Sequence, residues 1–186
     1  MRTKPPLVFL DSFDSAFNES FWSAHAAPGT TTETSQGRFV VTMGADTPDG
    51  FVSSGIDSIC RLAGNYDVRV DYRLLQWPAG NGVTLGLGVD FGTVGRLNDA
   101  YLVKFLPSGT QAATTDETGS LRLVRSGREL TAYYSHEGRW VWLWQSDGSA
   151  GETRVQLSLS SNAFSHEEVS AAFDNFRVVR GRLDCP

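Results

Sequence analysis

Apolar and polar residues alternate most regularly between residues 66 and 91, in the segment YDVRVDYRLLQWPAGNGVTLGLGVDF. In the first half every second residue is apolar, and the positions between hold Asp67, Arg69, Asp71 and Arg73. Successive side chains of a strand point to opposite faces, so this half predicts a strand with one buried face. After a break at Trp77, the second half repeats the pattern with glycines on its polar side. The segment therefore predicts two long neighbouring strands that share a buried face.

Shorter alternating segments separated by turn residues fill the rest of the chain. They predict further strands near 7–11, 37–42, 51–54, 99–106, 121–134, 139–145, 152–161 and 168–179. The stretches 26–36 and 111–118 are polar without periodicity and predict loops, and the aromatic stretch 13–22 predicts a loop packed across a sheet edge. No stretch predicts a substantial helix. The pattern favours an all-β sandwich or barrel.

Three tryptophans, Trp140, Trp142 and Trp144, occupy alternate positions of one predicted strand. Such a row suits either a sugar-stacking platform or a core. With a turn at Ser126 and Gly127 and a three-residue loop at 136–138, the tryptophans fall on the same face as several leucines. That register predicts that the row belongs to the core, with Ala132 leaving room for Trp142. A change of one residue in loop length would invert the prediction.

Size and charge restrict the possible functions. The 186 residues, of which 40% are hydrophobic, suit one domain spanning 1–186. A net charge of -5 argues against a nucleic-acid partner or an anionic membrane surface, since both require clustered basic residues. No apolar run has the length of a membrane span, and no signal-peptide pattern follows Met1. We expect a soluble protein that is either cytoplasmic or a module of a longer secreted chain.

The two cysteines, Cys60 and Cys185, leave two alternatives. Either Cys60 is a buried thiol and Cys185 an incidental one near the terminus, or a disulfide fastens the C-terminal tail to the sheet and indicates an oxidising compartment. The spacing of the cysteines and the three histidines predicts no zinc site.

Several motifs together resemble the concanavalin A-like lectin/glucanase superfamily, in particular its LamG-type jelly-roll modules. They are the opening DSFD at 11–14, Trp22, GRFVV at 37–41, the NYDVRVDYRL run, the hairpin LRLVRSGRELTAYYSHEGRW and the closing AFDNFRV at 172–178. The resemblance implies two stacked antiparallel sheets, one of them concave, and it favours an extracellular or cell-surface module. Lectins, binding modules, adhesion domains and glycoside hydrolases all share this scaffold.

Retaining glucanases of this superfamily have a Glu-x-Asp-x-x-Glu motif on a concave strand, and this chain has none. Asp67 and Asp71 share a strand face, but the alternating Arg69 and Arg73 are expected to pair with them and keep them ionised, which does not suit a general acid. We therefore expect no catalytic role. A hydrolase would require a carboxylate pair that meets only in the folded chain.

A structural calcium ion is a second implication of the resemblance, because many relatives join the N-terminal segment to the last strand through one. Asp174 interrupts the alternation of its strand as a bulge would, so its carboxylate is expected at an edge near Asp11 or Asp14. Calcium prefers such oxygen ligands. The alternative is that Asp174 and Asn175 cap backbone groups at the bulge.

The expected ligand is a glycan or polysaccharide, bound on the concave face by a non-catalytic, lectin-like module. Its hydroxyl groups would meet charged and aromatic side chains, with Trp77 as the stacking residue. The predicted site comprises Arg69, Asp71, Arg73, Trp77, Asp90, Arg122 and Tyr133. The alternative is a structural or protein-interaction module whose partner is another protein.

Overall fold

The computed structural model describes residues 7–89, 92–105, 108–148 and 151–186. Strands are the only regular secondary structure that these described residues form. In chain order they are β1 (Phe9–Asp11), β2 (Trp22–His25), β3 (Thr30–Ser35), β4 (Arg38–Met43), β5 (Val52–Ser58), β6 (Arg61–Gln76), β7 (Val83–Val89), β8 (Gly92–Leu97), β9 (Ala100–Phe105), β10 (Ser108–Ala113), β11 (Thr118–Ser126), β12 (Glu129–His136), β13 (Arg139–Asp147), β14 (Val155–Ser161) and β15 (Val169–Asp184).

The strands build two antiparallel sheets that enclose the core. Sheet A has the order β13-β12-β11-β6-β15-β4-β3, with β1 added against β15, and sheet B has the order β10-β9-β8-β7-β14-β5-β2. The inner faces are apolar: Val68 and Val70 of sheet A and Leu85 and Leu87 of sheet B have no exposed surface. This arrangement confirms the all-β, two-sheet antiparallel sandwich.

The prediction that the two halves of 66–91 are neighbouring strands is wrong. β6 lies in sheet A and β7 in sheet B, so their apolar faces meet across the core instead of lying side by side. The segment around Trp77 therefore crosses from one sheet to the other. A strand needs one apolar face whether its partner lies beside it in the same sheet or faces it across the core. The alternation of apolar and polar residues therefore could not distinguish these two arrangements.

Four strands were not predicted. β2, β3 and β10 fall wholly or partly in segments expected to be loops, and β8 follows β7 through a short connection. β3, with the sequence TTTETS, and β10 lie at sheet edges, where few residues need to be apolar. An edge strand held by backbone hydrogen bonds leaves almost no periodic signal.

A disulfide joins Cys60, immediately before β6, to Cys185, immediately after β15. β6 and β15 are antiparallel neighbours, and Arg61 lies opposite Asp184, so the two cysteines meet at the end of the longest strand pair. This resolves the alternatives that the sequence left open in favour of a covalent link. Among the described residues no helix is long and apolar enough to cross a membrane.

Candidate functional site

The outer face of sheet A gathers most of the charged and aromatic candidates. Tyr66, Val68, Val70 and Tyr72 of β6 are buried in the core, which turns the intervening charged residues outward. The register then sets one residue from each neighbouring strand beside them. One transverse row consists of Arg177, Arg69, Arg122, Tyr133 and Trp142. At about 4.8 Å per strand, the row crosses roughly 19 Å of sheet.

Asp67 anchors the arginines of this row. Arg69 and Arg122 each donate two hydrogen bonds to its carboxylate, from Nε at 3.1 and 2.9 Å and from Nη2 at 2.7 and 2.8 Å. Burial alone would raise the pKa of Asp67, but the hydrogen bonds and charges of the two arginines outweigh it and lower the pKa below its usual value. The predicted pairing of Arg69 is thus confirmed, and both guanidinium groups are fixed in orientation.

Asp67→Asn is expected to destabilise the fold by about 2–4 kcal/mol at pH 7, because two partly buried arginines lose their anion; their residual exposure reduces the full buried value. Because the folded-state pKa is lowered, the stabilisation is present above the unfolded pKa and is lost as pH falls through the folded one. Urea denaturation at pH 7 and pH 3 should show the difference between wild type and variant shrinking in acid. Asp147→Asn, at an exposed position on the same sheet, is the control. If the unfolding free energies of wild type and variant differed equally at pH 7 and pH 3, the stabilising role of the ionised Asp67 would be contradicted.

The prediction that the tryptophan row belongs to the core is wrong for Trp142, which is 56% exposed, and Trp140 lies partly exposed on the same outer face. The turn at Glu137 and Gly138 has two residues, not three, so His136 pairs with Arg139. Each side chain at the start of β13 therefore points to the face opposite to the predicted one. A bulge between Ala132 and Tyr133 then returns Trp144 to the core side.

The aromatic rings on this face pack against the arginines. The guanidinium of Arg122 lies 5.0 Å from the ring of Tyr133 and 5.5 Å from that of Trp140, and Arg69 lies 5.4 Å from Trp140. These are cation–π distances. Arginine and indole planes therefore form one platform, at whose edge Trp142 remains open to solvent.

Asp71 and Asp174 meet in a cavity of about 320 Å³ beside this platform. They are directly opposed on β6 and β15, and such residues have Cβ atoms about 4.5–5.5 Å apart. Asp71 accepts hydrogen bonds of 2.6 Å from the Ser120 hydroxyl and 2.6 Å from Nη2 of Arg177. Arg73 lines the cavity too, but its predicted pairing with Asp71 does not form, because Arg177 takes that place.

The environment of Asp174 differs from that of Asp71. Burial raises the pKa of Asp174, and the neighbouring carboxylates Asp71 and Asp14 raise it further. A hydrogen bond from the backbone of Asn175 and the charge of Arg38, 3.8 Å away, only partly oppose this effect. Two opposed carboxyl groups thus share a cavity in which one is held by hydrogen-bond donors and the other has a raised pKa. The sequence could not show this pair, because it forms between strands far apart in the chain.

The remaining predicted ligand-binding residues do not join this surface. Asp90 lies outside the described residues. Trp77 is half-buried, donates its indole N–H to the carbonyl of Asn98 at 3.1 Å, and lines a separate cavity of about 480 Å³ with Arg96 and Asp116. The single concave site expected from the sequence is therefore divided.

The predicted calcium ligands are only partly brought together. Asp11 accepts hydrogen bonds of 2.9 Å from the indole of Trp22 and 2.9 Å from the backbone of Phe13. Asp14 is close enough to Asp174 to affect its pKa. In the part of the chain that the structure describes, no three His, Cys, Asp or Glu residues cluster as metal ligands, so a calcium ion would need backbone carbonyls. The site stays a prediction.

Comparison with known proteins places the fold among concanavalin A-like jelly rolls. A lichenase from a mouse hindgut metagenome matches with a TM-score of 0.66 and 10% identity, covering 91% of this chain and 97% of its own. A Bacillus licheniformis β-glucanase matches with a TM-score of 0.68 and 9% identity, covering 92% and 97%. A GlcNAcα1-4Gal-releasing endo-β-galactosidase from Clostridium perfringens matches with a TM-score of 0.69 and 16% identity. This match covers 96% of this chain and 63% of the galactosidase chain.

No protein-family model and no curated protein sequence matches the chain. The three solved proteins named above are glycan-cleaving enzymes that align with nearly the whole of this chain, and they contradict the interpretation of this protein as a non-catalytic binding or interaction module. At these identities the likeness establishes the concanavalin A-like fold. The neighbours named above do not support the narrower LamG-type resemblance.

Proposed function

We propose that this domain cleaves a glycan, with Asp71 and Asp174 as its catalytic carboxyl groups. The observation that supports the proposal is their direct opposition on neighbouring strands within one cavity. Retaining glycosidases place two carboxyl groups about 5 to 5.5 Å apart. Directly opposed strand residues have Cβ atoms about 4.5 to 5.5 Å apart, so carboxyl groups at these two positions can reach that separation. The jelly-roll neighbours named above act on glycans, which agrees with this assignment. The assignment does not use the glucanase motif, which this chain lacks.

The two carboxyl groups take different roles. Asp174, whose pKa is raised, gives its proton to the glycosidic oxygen as the bond to the anomeric carbon breaks. Asp71, held as an acceptor by Ser120 and Arg177, forms the new bond to that carbon. A water molecule then replaces the Asp71 oxygen and returns a proton to Asp174. The sugar is released with its original configuration.

The platform of arginine and indole planes would hold the neighbouring sugars. Sugar rings present an apolar face that stacks on tryptophan, and their hydroxyl groups bond to fixed arginine donors. Trp142, exposed at the end of the transverse row, is positioned for such stacking. The face expected from the sequence to bind a glycan would thus serve as the substrate-binding surface of an enzyme.

The proposal is tested by incubating the oxidised protein with lichenan, laminarin, mucin glycans, polygalacturonate and dextran sulfate, and measuring new reducing ends. We expect release from at least one substrate by the wild type and none by Asp71→Asn/Asp174→Asn. Equal reducing ends from wild type and double variant on every substrate would overturn the proposal.

Trp142→Ala is expected to raise KM about 3- to 10-fold with kcat nearly unchanged, because stacking away from the scissile bond binds substrate and transition state alike. Steady-state kinetics on the cleaved glycan would measure both constants. Phe51→Ala is the matched control, since Phe51 is 71% exposed and lies next to β5 of sheet B. A fall in kcat with unchanged KM would contradict the stacking role.

We also propose a structural calcium site and a LamG-type assignment. Calcium would be held by Asp14 and Asp174 with backbone carbonyls, and it would stabilise the fold instead of entering the reaction. The LamG-type assignment is supported by the motifs quoted above alone. The disulfide favours an oxidising compartment, such as the cell exterior, as the place of action.

A further inference from the structure

Two cavities on the outer face of sheet A are lined by a charge opposite to that of the protein as a whole. Two cavities open on it, one of about 530 Å³ around Asp67 and one of about 320 Å³ around Asp71. Six arginines and three aspartates line them among the described residues, which leaves an excess of three positive charges: Arg38, Arg69, Arg73, Arg122, Arg177 and Arg180 against Asp67, Asp71 and Asp174. The whole chain has a net charge of -5.

Much of this positive charge is available to a ligand. Arg69 and Arg122 use Nε and Nη2 for Asp67, and the Nη1 of each has no partner among the described residues. Arg73 and Arg180 are exposed, and within the described parts of the chain neither side chain makes a hydrogen bond or ion pair. Planar guanidinium groups bind the oxygens of carboxylate and sulfate groups in pairs.

The aromatic rings on this face indicate that the negatively charged ligand also contains sugar rings. The fixed guanidinium groups of Arg69 and Arg122 lie on aromatic rings, and Trp142 at the end of the row is open to stacking. A ligand that matches both features has pyranose rings with regularly spaced negative charges. Elsewhere the acidic surface of the protein repels such a chain, so binding concentrates on this face.

We propose that the glycan recognised by the outer face of sheet A is an acidic polysaccharide, whose sugars carry carboxylate or sulfate groups. This inference rests on the proposed function for its location, and it specifies the class of substrate. The arginines hold the negative groups while Asp71 and Asp174 act on the glycosidic bond between them. Uronic acids and sulfated sugars share this chemistry, and the test separates them.

The experiment measures binding by affinity electrophoresis and cleavage by new reducing ends, with polygalacturonate, dextran sulfate, neutral laminarin and duplex DNA as probes. Binding uses Asp174→Asn, so that bound chains stay intact. We expect retardation by polygalacturonate or dextran sulfate, whichever group fits, and none by laminarin or DNA. Arg73→Gln/Arg180→Gln should weaken binding about tenfold, and 0.5 M NaCl should weaken it further. Arg154→Gln, an exposed arginine of the segment that leads into sheet B, should have no effect.

The outcomes separate this inference from the proposed function. Binding of an acidic polysaccharide without cleavage by the wild type would uphold the inference and overturn the proposed function. If the protein cleaved laminarin, and Arg73→Gln/Arg180→Gln cleaved it at the same rate, the proposed function would be upheld and the inference overturned. Equal retardation by DNA would show an unspecific attraction for polyanions and would overturn the inference, as would the absence of retardation by both acidic probes.

Discussion

Asp174→Asn is expected to lower kcat by about 10²- to 10⁴-fold with little change in KM, because the amide cannot protonate the leaving oxygen. Asparagine has nearly the same shape, so the cavity and the opposed Asp71 should be retained. The pH dependence of kcat gives a second readout. In the wild type, activity should fall as rising pH ionises Asp174, and the residual activity of the variant should lack this decline. Asp147→Asn, at an exposed position away from the cavity, should leave both constants unchanged.

The same substitution should not weaken the fold at neutral pH. The folded-state pKa of Asp174 is raised, so its contribution to stability is present below the unfolded pKa and is lost as pH rises through the folded one. Above that range the wild type retains a partly buried anion near Asp71 and Asp14, which asparagine removes. The variant should therefore be as stable as the wild type or more stable at pH 7, with the difference vanishing near pH 3, as measured by urea denaturation.

The opposite result would identify a metal ligand. If calcium stabilises the wild type, a chelator lowers its Tm, and Asp174→Asn lowers the Tm by the same amount, then Asp174 holds the ion and is not the general acid. Loss of activity with unchanged stability and no response to chelator would support catalysis. The two roles of Asp174 are thereby distinguished with one variant and two measurements.

Opening the disulfide is expected to cost about 2–5 kcal/mol, because the link closes a very long loop of the unfolded chain. Cys60 and Cys185 are 125 residues apart in sequence, and the entropic model gives roughly 4.7 kcal/mol for a loop of 100 residues. For a domain of this size the Tm should fall by about 5–20 °C. The buried position of Cys60 adds a packing loss if its side chain is shortened.

Thermal unfolding of oxidised protein, reduced protein and Cys60→Ala/Cys185→Ala would separate the contributions. The reduced wild type keeps both side chains, so it reports the link alone, and the double variant adds the loss of Cys60 packing. Reductant should not change the Tm of the double variant. A reduced wild type with the Tm of the oxidised protein would contradict the expected stabilisation.

Strand identity could be read from the sequence wherever one face had to be buried. β6 shows it well: its apolar residues are in the core and its charges outside, as alternation predicts. The tryptophan row failed because its orientation depends on a single residue of loop length. The two-residue turn at Glu137 and Gly138 exchanges the faces to which the side chains of β13 point. The bulge at Ala132 exchanges them again before Trp144. Local sequence does not determine either event.

The candidate site shows the same limit more strongly. The sequence predicts Asp71 as a glycan-binding residue and Asp174 as a metal ligand, because an aspartate carboxylate can serve in either role. Their opposition depends on β15 lying beside β6, which no periodicity reveals. The partner of Asp71 was also misassigned, because Arg73 is close in sequence whereas Arg177 approaches from the neighbouring strand. Sequence identified the charged residues of the face, and topology decided which of them meet.

The position of the final two strands determines when this protein can fold as it leaves the ribosome. β14 lies between β7 and β5, and β15 lies between β6 and β4, so each fills an interior place in its sheet. Until both have emerged, each sheet is split into two parts with open edges, and the carboxyl pair cannot form. The sandwich therefore cannot be completed before β14 and β15 have left the ribosome, and until then the nascent chain has several unpaired strand edges that chaperones would have to shield.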